Sequence, residues 1–329
     1  MSQHQFFALG TASQVPTKTR NHNGYFLKWG KEGFLFDPGE GTQRQMLYAG
    51  VSAKDITKIL ITHFHGDHCL GLPGVLQRIS LDKVPHPVKV YFPASGLQYF
   101  NNLQHASIYY NTATIEICPI AEAGIIYQNE QLTISAAPLD HTVESWGYRI
   151  QDVDTHTLLA DKLQAFGIRG ALTKQLLAEG QISIGDQLVS LADVSVLKPG
   201  QSFAFVMDTR YCANAVKLAQ EVDTLVAEST FLNVHTAEAQ AHGHLTAAQA
   251  ARIAQEAQAK RLILTHFSQR YADTNLITEN IPIPELRKQD TKNRQNSTDD
   301  LGDYVKLKFQ SEIAQLFAHS NNLYKRMLD

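Results

Sequence analysis

Seven residues, Thr62-His63-Phe64-His65-Gly66-Asp67-His68, constrain this chain more than any other stretch. Imidazole and carboxylate are good ligands for first-row metals, and neutral histidine with aspartate suits zinc. In an extended loop, a His-x-His spacing sets two imidazoles on the same side. The Asp67-His68 pair then turns toward a second position close by. Three histidines and one aspartate cannot all reach one tetrahedral ion that also keeps a place for water. Two metals sharing the loop is the more natural solution. The bland alternative, a histidine-rich surface loop, does not account for the strand that leads into it.

Apolar runs show where further ligands come from. Phe6–Leu9 reads as a strand running into Gly10-Thr11, and Phe34–Phe36 as one ending at Asp37-Pro38-Gly39-Glu40-Gly41. Lys58–Thr62 delivers His63, Leu132–Ala136 shortly precedes Asp140-His141, Phe203–Met207 delivers Asp208, and Leu262–Leu264 leads to Thr265-His266. Ligand sites in layered α/β proteins gather where strands end and loops begin, so the shared position predicts one site. Taken singly, His141 also reads as a buried core histidine and Asp208 as a helix N-cap; the strand ends favour metal for both. Helices are predicted at Gly71–Ser80, Ala213–Gln220 and Thr246–Ala259, the last opening on a capping box from Thr246 to Gln249.

The alternation predicts an α/β fold in a single domain over residues 1–329, interrupted twice. Residues of about 161–199 read as an inserted arm with a short helix, Leu172–Glu179. Residues of about 284–303 read as a polar, linker-like insertion carrying Arg287, Lys288, Lys292 and Arg294, followed by an amphipathic helix, Lys308–Phe317. With 43% hydrophobic residues the chain has enough apolar material for a large core, and no apolar run is long enough to span a membrane. The N-terminus has no cationic start followed by an apolar stretch, so no secretory signal is expected. Three scattered cysteines, Cys69, Cys118 and Cys212, fit a reducing, cytoplasmic setting. A net charge of −3 does not advertise a nucleic-acid binder, so cations for an RNA substrate must be local.

His-x-His-x-Asp-His after a strand resembles the signature of the metallo-β-lactamase superfamily, and its surroundings look like the tRNase Z family. Those surroundings are Gly10-Thr11 with Pro16-Thr17-Lys18-Thr19-Arg20-Asn21, Phe36-Asp37-Pro38-Gly39-Glu40-Gly41-Thr42-Gln43-Arg44-Gln45, and Gly66-Asp67-His68-Cys69-Leu70-Gly71-Leu72-Pro73-Gly74. Asp208-Thr209-Arg210 and Thr265-His266-Phe267-Ser268-Gln269-Arg270-Tyr271 complete the set. The likeness covers roughly residues 1–275, much of the arm excepted. It implies a metallo-β-lactamase αββα sandwich with a protruding arm that grips substrate, and two zinc ions per chain. His63, His65 and His141 would hold one zinc, Asp67, His68 and His266 the other, with Asp208 bridging.

The same resemblance implies an endoribonuclease that removes the 3′ trailer from precursor tRNA, leaving a 3′-hydroxyl on the tRNA and a 5′-phosphate on the trailer. Asp67 would also accept a proton from water. His244 would donate one to the leaving oxygen, with His242 as a rival by sequence alone. Glu228, after the strand Thr224–Ala227, would orient His244, although a surface or capping role is nearly as natural. Arg270 would hold a phosphate oxygen, the alternative being a surface salt bridge. Lys18 and Arg20 would contact substrate. A homodimer is expected in which one subunit's arm, a helical hairpin, serves the other's active site.

The arm departs from the family. A Gly-x-Pro-Pro-Gly-Pro-like segment is replaced by Gly167-Ile168-Arg169-Gly170-Ala171-Leu172. Lys162, Arg169, Lys174 and Lys198 are balanced by Asp161, Glu179, Asp186 and Asp193. A small-molecule or cyclic phosphodiesterase on the same metal core is therefore the alternative function.

Overall fold

Residues that alternate in character along a strand send successive side chains to opposite faces, and in this chain both faces are apolar. The structure, a computed structural model, describes residues 4–271. The insertion expected near 284–303, with Arg287, Lys288, Lys292 and Arg294, and the helix expected at Lys308–Phe317 lie outside the described residues.

The chain opens with β1 (Gln5–Gly10), β2 (Gly24–Trp29) and β3 (Glu32–Phe36), paired antiparallel, then β4 (Lys58–Leu60), β5 (Val88–Pro93) and β6 (Ile115–Ile120), which extend the sheet in parallel. The six run in the order β1-β2-β3-β4-β5-β6. Between them lie α1 (Thr42–Ala49), α2 (Gly66–Cys69), α3 (Leu72–Leu81) and α4 (Leu97–Gln104). Next come β7 (Gly124–Gln128), β8 (Leu132–Leu139), β9 (Ser145–Asp152), β10 (Thr155–Leu158), α5 (Ala160–Ala165) and α6 (Ala171–Glu179). These are followed by β11 (Gln181–Ile184), β12 (Gln187–Ser190) and β13 (Ser195–Lys198). The remaining elements are β14 (Ser202–Val206), α7 (Ala213–Leu218), β15 (Thr224–Glu228), α8 (Thr236–His242), α9 (Ala247–Glu256) and β16 (Leu262–Thr265).

Two compact units result. Of the described residues, the first holds 4–124, Ala136–Arg149 and 203–271. In its second sheet the order is β16-β15-β14-β9-β8, with β14, β15 and β16 parallel. Phe36 of β3 stacks on Phe205 of β14 with ring centroids 4.5 Å apart, and Phe6 and Tyr25 meet Phe203 and Phe205, so aromatic rings fill the space between the sheets. Burying such a ring contributes roughly 2–3 kcal/mol. The alternate residues face the helices. Phe7, Phe26 and Leu35 belong to a core shared with α1, α3 and α4, while Ala204, Val206, Leu225 and Ala227 meet Ala215 of α7 and Ala250, Ile253 and Ala254 of α9. Helix, sheet, sheet, helix is the αββα architecture of the metallo-β-lactamase fold. Helix α9 begins at the expected capping box, in which Thr246 Oγ1 accepts from the Gln249 amide.

The second unit, Ile125–Ser135 with Ile150–Ser202, contains all of the segment expected as an arm. It is not a helical hairpin. Helices α5 and α6 are joined by two two-stranded antiparallel sheets, β10 with β13 and β11 with β12, around a small core of Ile168, Leu176, Ile182, Val189 and Val194. The shortness of its strands and its glycine turns hid the sheets from a reading of apolar runs. No helix among the described residues is long and apolar enough to cross a membrane.

Candidate metal centre

Parallel strands point their C-terminal ends at one edge, and this chain places residues able to ligate a metal there. Beyond β3 comes Asp37, beyond β4 His63, beyond β8 His141, beyond β14 Asp208 and beyond β16 His266, while Glu228 closes β15. Asp37, Asp208 and His266 have φ of 42°, 31° and 60°, the left-handed region that side chains rarely adopt. Such strain, on the order of 1–3 kcal/mol each, persists where surrounding contacts over-determine it, and functional sites are its usual address.

Two trios of ligand atoms form. His63 Nε2 stands 3.0 Å from His65 Nδ1, and His141 Nε2 stands 3.3 Å from the same atom. In the second trio, His68 Nε2 lies 3.2 Å from His266 Nε2, and Asp67 Oδ2 lies 3.4 Å from each of them. Ligand nitrogens on a tetrahedral ion with bonds of about 2.0–2.1 Å stand about 3.3–3.4 Å apart. Asp208 lies between the trios. Its Oδ2 is 3.6 Å from His63 and 3.8 Å from His141, and its Oδ1 is 3.4 Å from His68 and 3.2 Å from His266. Oδ1 is buried with no hydrogen-bond partner, a costly state for a carboxylate oxygen unless a cation faces it. The donor set therefore fits metal ions, and the seven residues expected as ligands converge.

Protein acceptors hold the far nitrogens of four of these histidines and so select the tautomer that leaves the inner nitrogen a lone pair. His141 Nδ1 donates to the Gly243 carbonyl at 2.8 Å, and His68 Nδ1 to Asp37 Oδ2 at 2.8 Å. His63 Nδ1 faces Thr62 Oγ1 at 3.0 Å, whose hydroxyl donates to Asp37 Oδ2 at 2.8 Å. His266 Nδ1 meets Thr230 Oγ1 at 2.6 Å, and that hydroxyl donates to Glu228 Oε2 at 2.5 Å. Asp37, Thr62 and Thr230 received no role from the sequence. Asp37 carried the same signal as Asp208, an acidic residue ending an apolar run. Nothing local marked Thr230.

Charge is concentrated and buried. Asp37, Asp67, Asp208 and Glu228 are 0%, 8%, 2% and 0% exposed. Among the described residues their ion partners are all histidines. Burial would raise Asp67, but the His68 and His266 rings hold it well below the usual carboxylate range. Burial would lower His68, and Asp208, Asp67 and Asp37 outweigh it and push the ring well above its ordinary value. His63 goes the other way, held low by burial and by the neighbouring His68 ring.

His244 stands at the rim, with Nδ1 3.1 Å from Glu228 Oε1 and 3.8 Å from Asp208 Oδ2. Burial works to lower its pKa, and the two carboxylates overcome this and push it up to about 9. Glu228 Oε1 also accepts from the Thr209 amide at 2.7 Å, so the carboxylate that faces His244 is anchored to the Asp208 loop. His242, the rival, is exposed and stacks on Phe231. Arg270 is exposed, lies over the Phe231 ring and is 3.9 Å from Glu238. Arg20 lies over Phe267 and donates to the Tyr271 carbonyl at 3.1 Å, while Lys18 sits exposed on the Thr17–Arg20 turn.

Comparison with known proteins agrees with this geometry. A family model described as the metallo-beta-lactamase superfamily matches residues 17–136, and one described as a beta-lactamase superfamily domain matches residues 182–267. Ribonuclease Z of Nocardia farcinica is 54% identical over 272 residues, 82% of this chain and 89% of the relative. Ribonuclease Z of Protochlamydia amoebophila is 47% identical over 279 residues, 85% of this chain and 91% of the relative. Among solved structures, human tRNase Z, short form, aligns with a TM-score of 0.62 and 27% identity, covering 82% of this chain and 94% of that one.

Proposed function

The chain belongs to the ribonuclease Z family of the metallo-β-lactamase superfamily, and from that premise we propose that it cuts the 3′ trailer from precursor tRNA with two zinc ions held in its buried cluster. The reaction is hydrolysis of one phosphodiester within the RNA, leaving a 3′-hydroxyl on the tRNA and a 5′-phosphate on the trailer. His63, His65 and His141 would hold one ion, Asp67, His68 and His266 the other, and Asp208 would present one oxygen to each. The placement of Asp208 carries this reading. Charge supports bound cations: among the described residues Asp37, Asp67 and Asp208 are buried with only histidines as ion partners, and leaving buried charge unpaired costs several kcal/mol per ion.

When bound, the two ions supply positive charge to the phosphoryl oxygens and acidify a water nucleophile toward a pKa of roughly 7. The chain's own groups do the rest. Asp67, kept ionised by its neighbours, suits a ligand that also accepts a hydrogen bond from the attacking water and orients it. With Nδ1 of His244 held by Glu228, Nε2 is the nitrogen left to protonate the departing 3′ oxygen. Glu228 is a positioning residue for it. Arg270, Lys18 and Arg20 would contribute phosphate contacts, Lys18 and Arg270 being the exposed ones. The protein would act in the cytoplasm, in keeping with three free thiols, and as a homodimer in which one subunit's arm serves its partner's metals.

Incubation of the purified protein with a 3′-extended pre-tRNA and, separately, with bis(p-nitrophenyl) phosphate tests the reading. Mature-length tRNA and a 5′-phosphorylated trailer are the expected products. Turnover of the small diester alone would move the assignment to a small-molecule phosphodiesterase.

A further inference from the structure

The last carbonyls of a helix have no partner within it and must find donors elsewhere. Helix α8 ends at His242, one glycine before His244, and its last carbonyls are satisfied partly by side chains from other loops. The Ala239 carbonyl takes the His244 amide at 2.8 Å, across Gly243, whose φ of 76° closes the turn. The Gly243 carbonyl takes His141 Nδ1 at 2.8 Å. The Gln240 carbonyl takes Arg210 Nε at 2.8 Å.

Arg210 does more than cap. Its Nη1 lies 3.0 Å from Asp140 Oδ1, and its amide donates to the Asp140 carbonyl at 2.7 Å. The Asp140 amide in turn donates to Thr209 Oγ1 at 3.1 Å. One guanidinium thus joins three pieces of chain: the Asp140-His141 loop, the Asp208–Arg210 loop and the end of α8. A cation there is also favoured by the negative end of the helix dipole. The guanidinium fork is planar and carries several donors, so it spans an acceptor on each side as a lysine ammonium cannot. With its side chain 22% exposed, Arg210 is held by these partners rather than free to search for a ligand.

We infer that Arg210 is a positioning residue for His244: by pinning the end of α8 to the loops carrying His141 and Asp208, it sets where the His244 ring stands relative to the metals. This rests on the reading of His244 as the proton donor. A displaced donor hurts only a reaction that needs one. The 3′ oxygen of RNA is a poor leaving group and needs a proton, whereas p-nitrophenolate departs without one.

The experiment measures kcat and KM for pre-tRNA and for bis(p-nitrophenyl) phosphate, with metal content, for Arg210→Gln, Arg210→Lys, His244→Ala and the His244→Ala/Arg210→Gln double variant. Arg210→Gln is expected to keep its metal and its KM while kcat on pre-tRNA falls roughly 10–100-fold, the scale of a donor misplaced by about an ångström. Turnover of bis(p-nitrophenyl) phosphate should stay within about threefold, because no donor is required. Arg210→Lys should fall between wild type and Arg210→Gln, and it carries the test if the glutamine variant does not fold. The double variant should be no slower on pre-tRNA than His244→Ala alone, since a residue acting through His244 has nothing left to position. Loss of metal, equal loss on both substrates, or additive losses in the double variant would overturn the inference. If His244→Ala itself slows both substrates equally, the proton-donor reading fails and the inference with it. If His244→Ala is selective and Arg210→Gln is not, the inference alone fails.

Discussion

At the scale of single residues, the pair Glu228–His244 separates two jobs that histidines do at this centre. His141, His68 and His266 give their outer nitrogen to the protein and turn the inner one toward a shared point. His244 gives Nδ1 to Glu228 and stands outside both trios, although it comes within 3.8 Å of Asp208 and forms a third group of ligand-type atoms with Asp208 and His266. His244→Ala should therefore leave metal content intact and slow pre-tRNA cleavage by roughly 10²–10⁴, the usual worth of a positioned general acid. Elemental analysis alongside single-turnover kinetics checks this. Zinc lost together with activity would make His244 a ligand instead. The seven proposed ligands were legible because each follows an apolar run or falls within His63–His68. Asp37 carried the same strand-end signal and was passed over, whereas Thr230 and Arg210 were not legible, because their contribution is a hydrogen bond to a residue remote in sequence. Asp37 to His68 spans 31 positions and Thr230 to His266 spans 36.

At the scale of elements, the loop after β4 is shaped from outside as well as from within. Phe64, between the two proposed ligands His63 and His65, packs against Phe92 of β5 and Tyr99 of α4. Gly96, in the turn between β5 and α4, makes room for it: a Cβ there would stand 2.0 Å from the Phe64 ring. Gly96→Ala must push the ring away, and the ligands on either side move with it. Overpacking of this kind costs about 1–3 kcal/mol of stability. Because the strain falls on the ligand loop, zinc affinity should also weaken, by roughly tenfold to a hundredfold, the range seen when groups supporting ligands are removed. Competition with a chelator measures the affinity; an unchanged value with reduced stability would confine Gly96 to packing. Strand and helix positions followed well from pattern, as with α3 at Leu72–Leu81 where the apolar spacing predicts Gly71–Ser80. Pattern left out β2, β5, β6, β7 and β9, and in the arm it missed β10 to β13, strands of four residues each. So few residues carry too little alternation to register, and their pairing is set by partners up to about forty residues away.

At the scale of the whole molecule, the proposal assigns recognition of the RNA to the arm and the chemistry to the metals. The second unit has its own small core, and the Asp152 amide donates to the Gln201 carbonyl at 2.9 Å, so the two chain ends leading into it are neighbours. Residues 153–200 can therefore be replaced by an Asn-Gly turn joining an antiparallel pair. That variant should hydrolyse bis(p-nitrophenyl) phosphate within about threefold of wild type and lose on the order of 100-fold in kcat/KM on pre-tRNA, because remote binding energy is spent on the large substrate alone. Mixed with an Asp67→Ala chain, it should recover cleavage if one subunit's arm serves its partner's metals. Mixed dimers without recovery would assign each arm to its own site.

The proposed mechanism needs two metal ions acting together across Asp208, and one titration tests this directly. Zinc is returned stepwise to metal-stripped protein while pre-tRNA cleavage is followed. Two trios of ligands joined by one carboxylate predict that activity rises to a plateau at two equivalents of zinc per chain. Full activity at one equivalent, or without any, would contradict it.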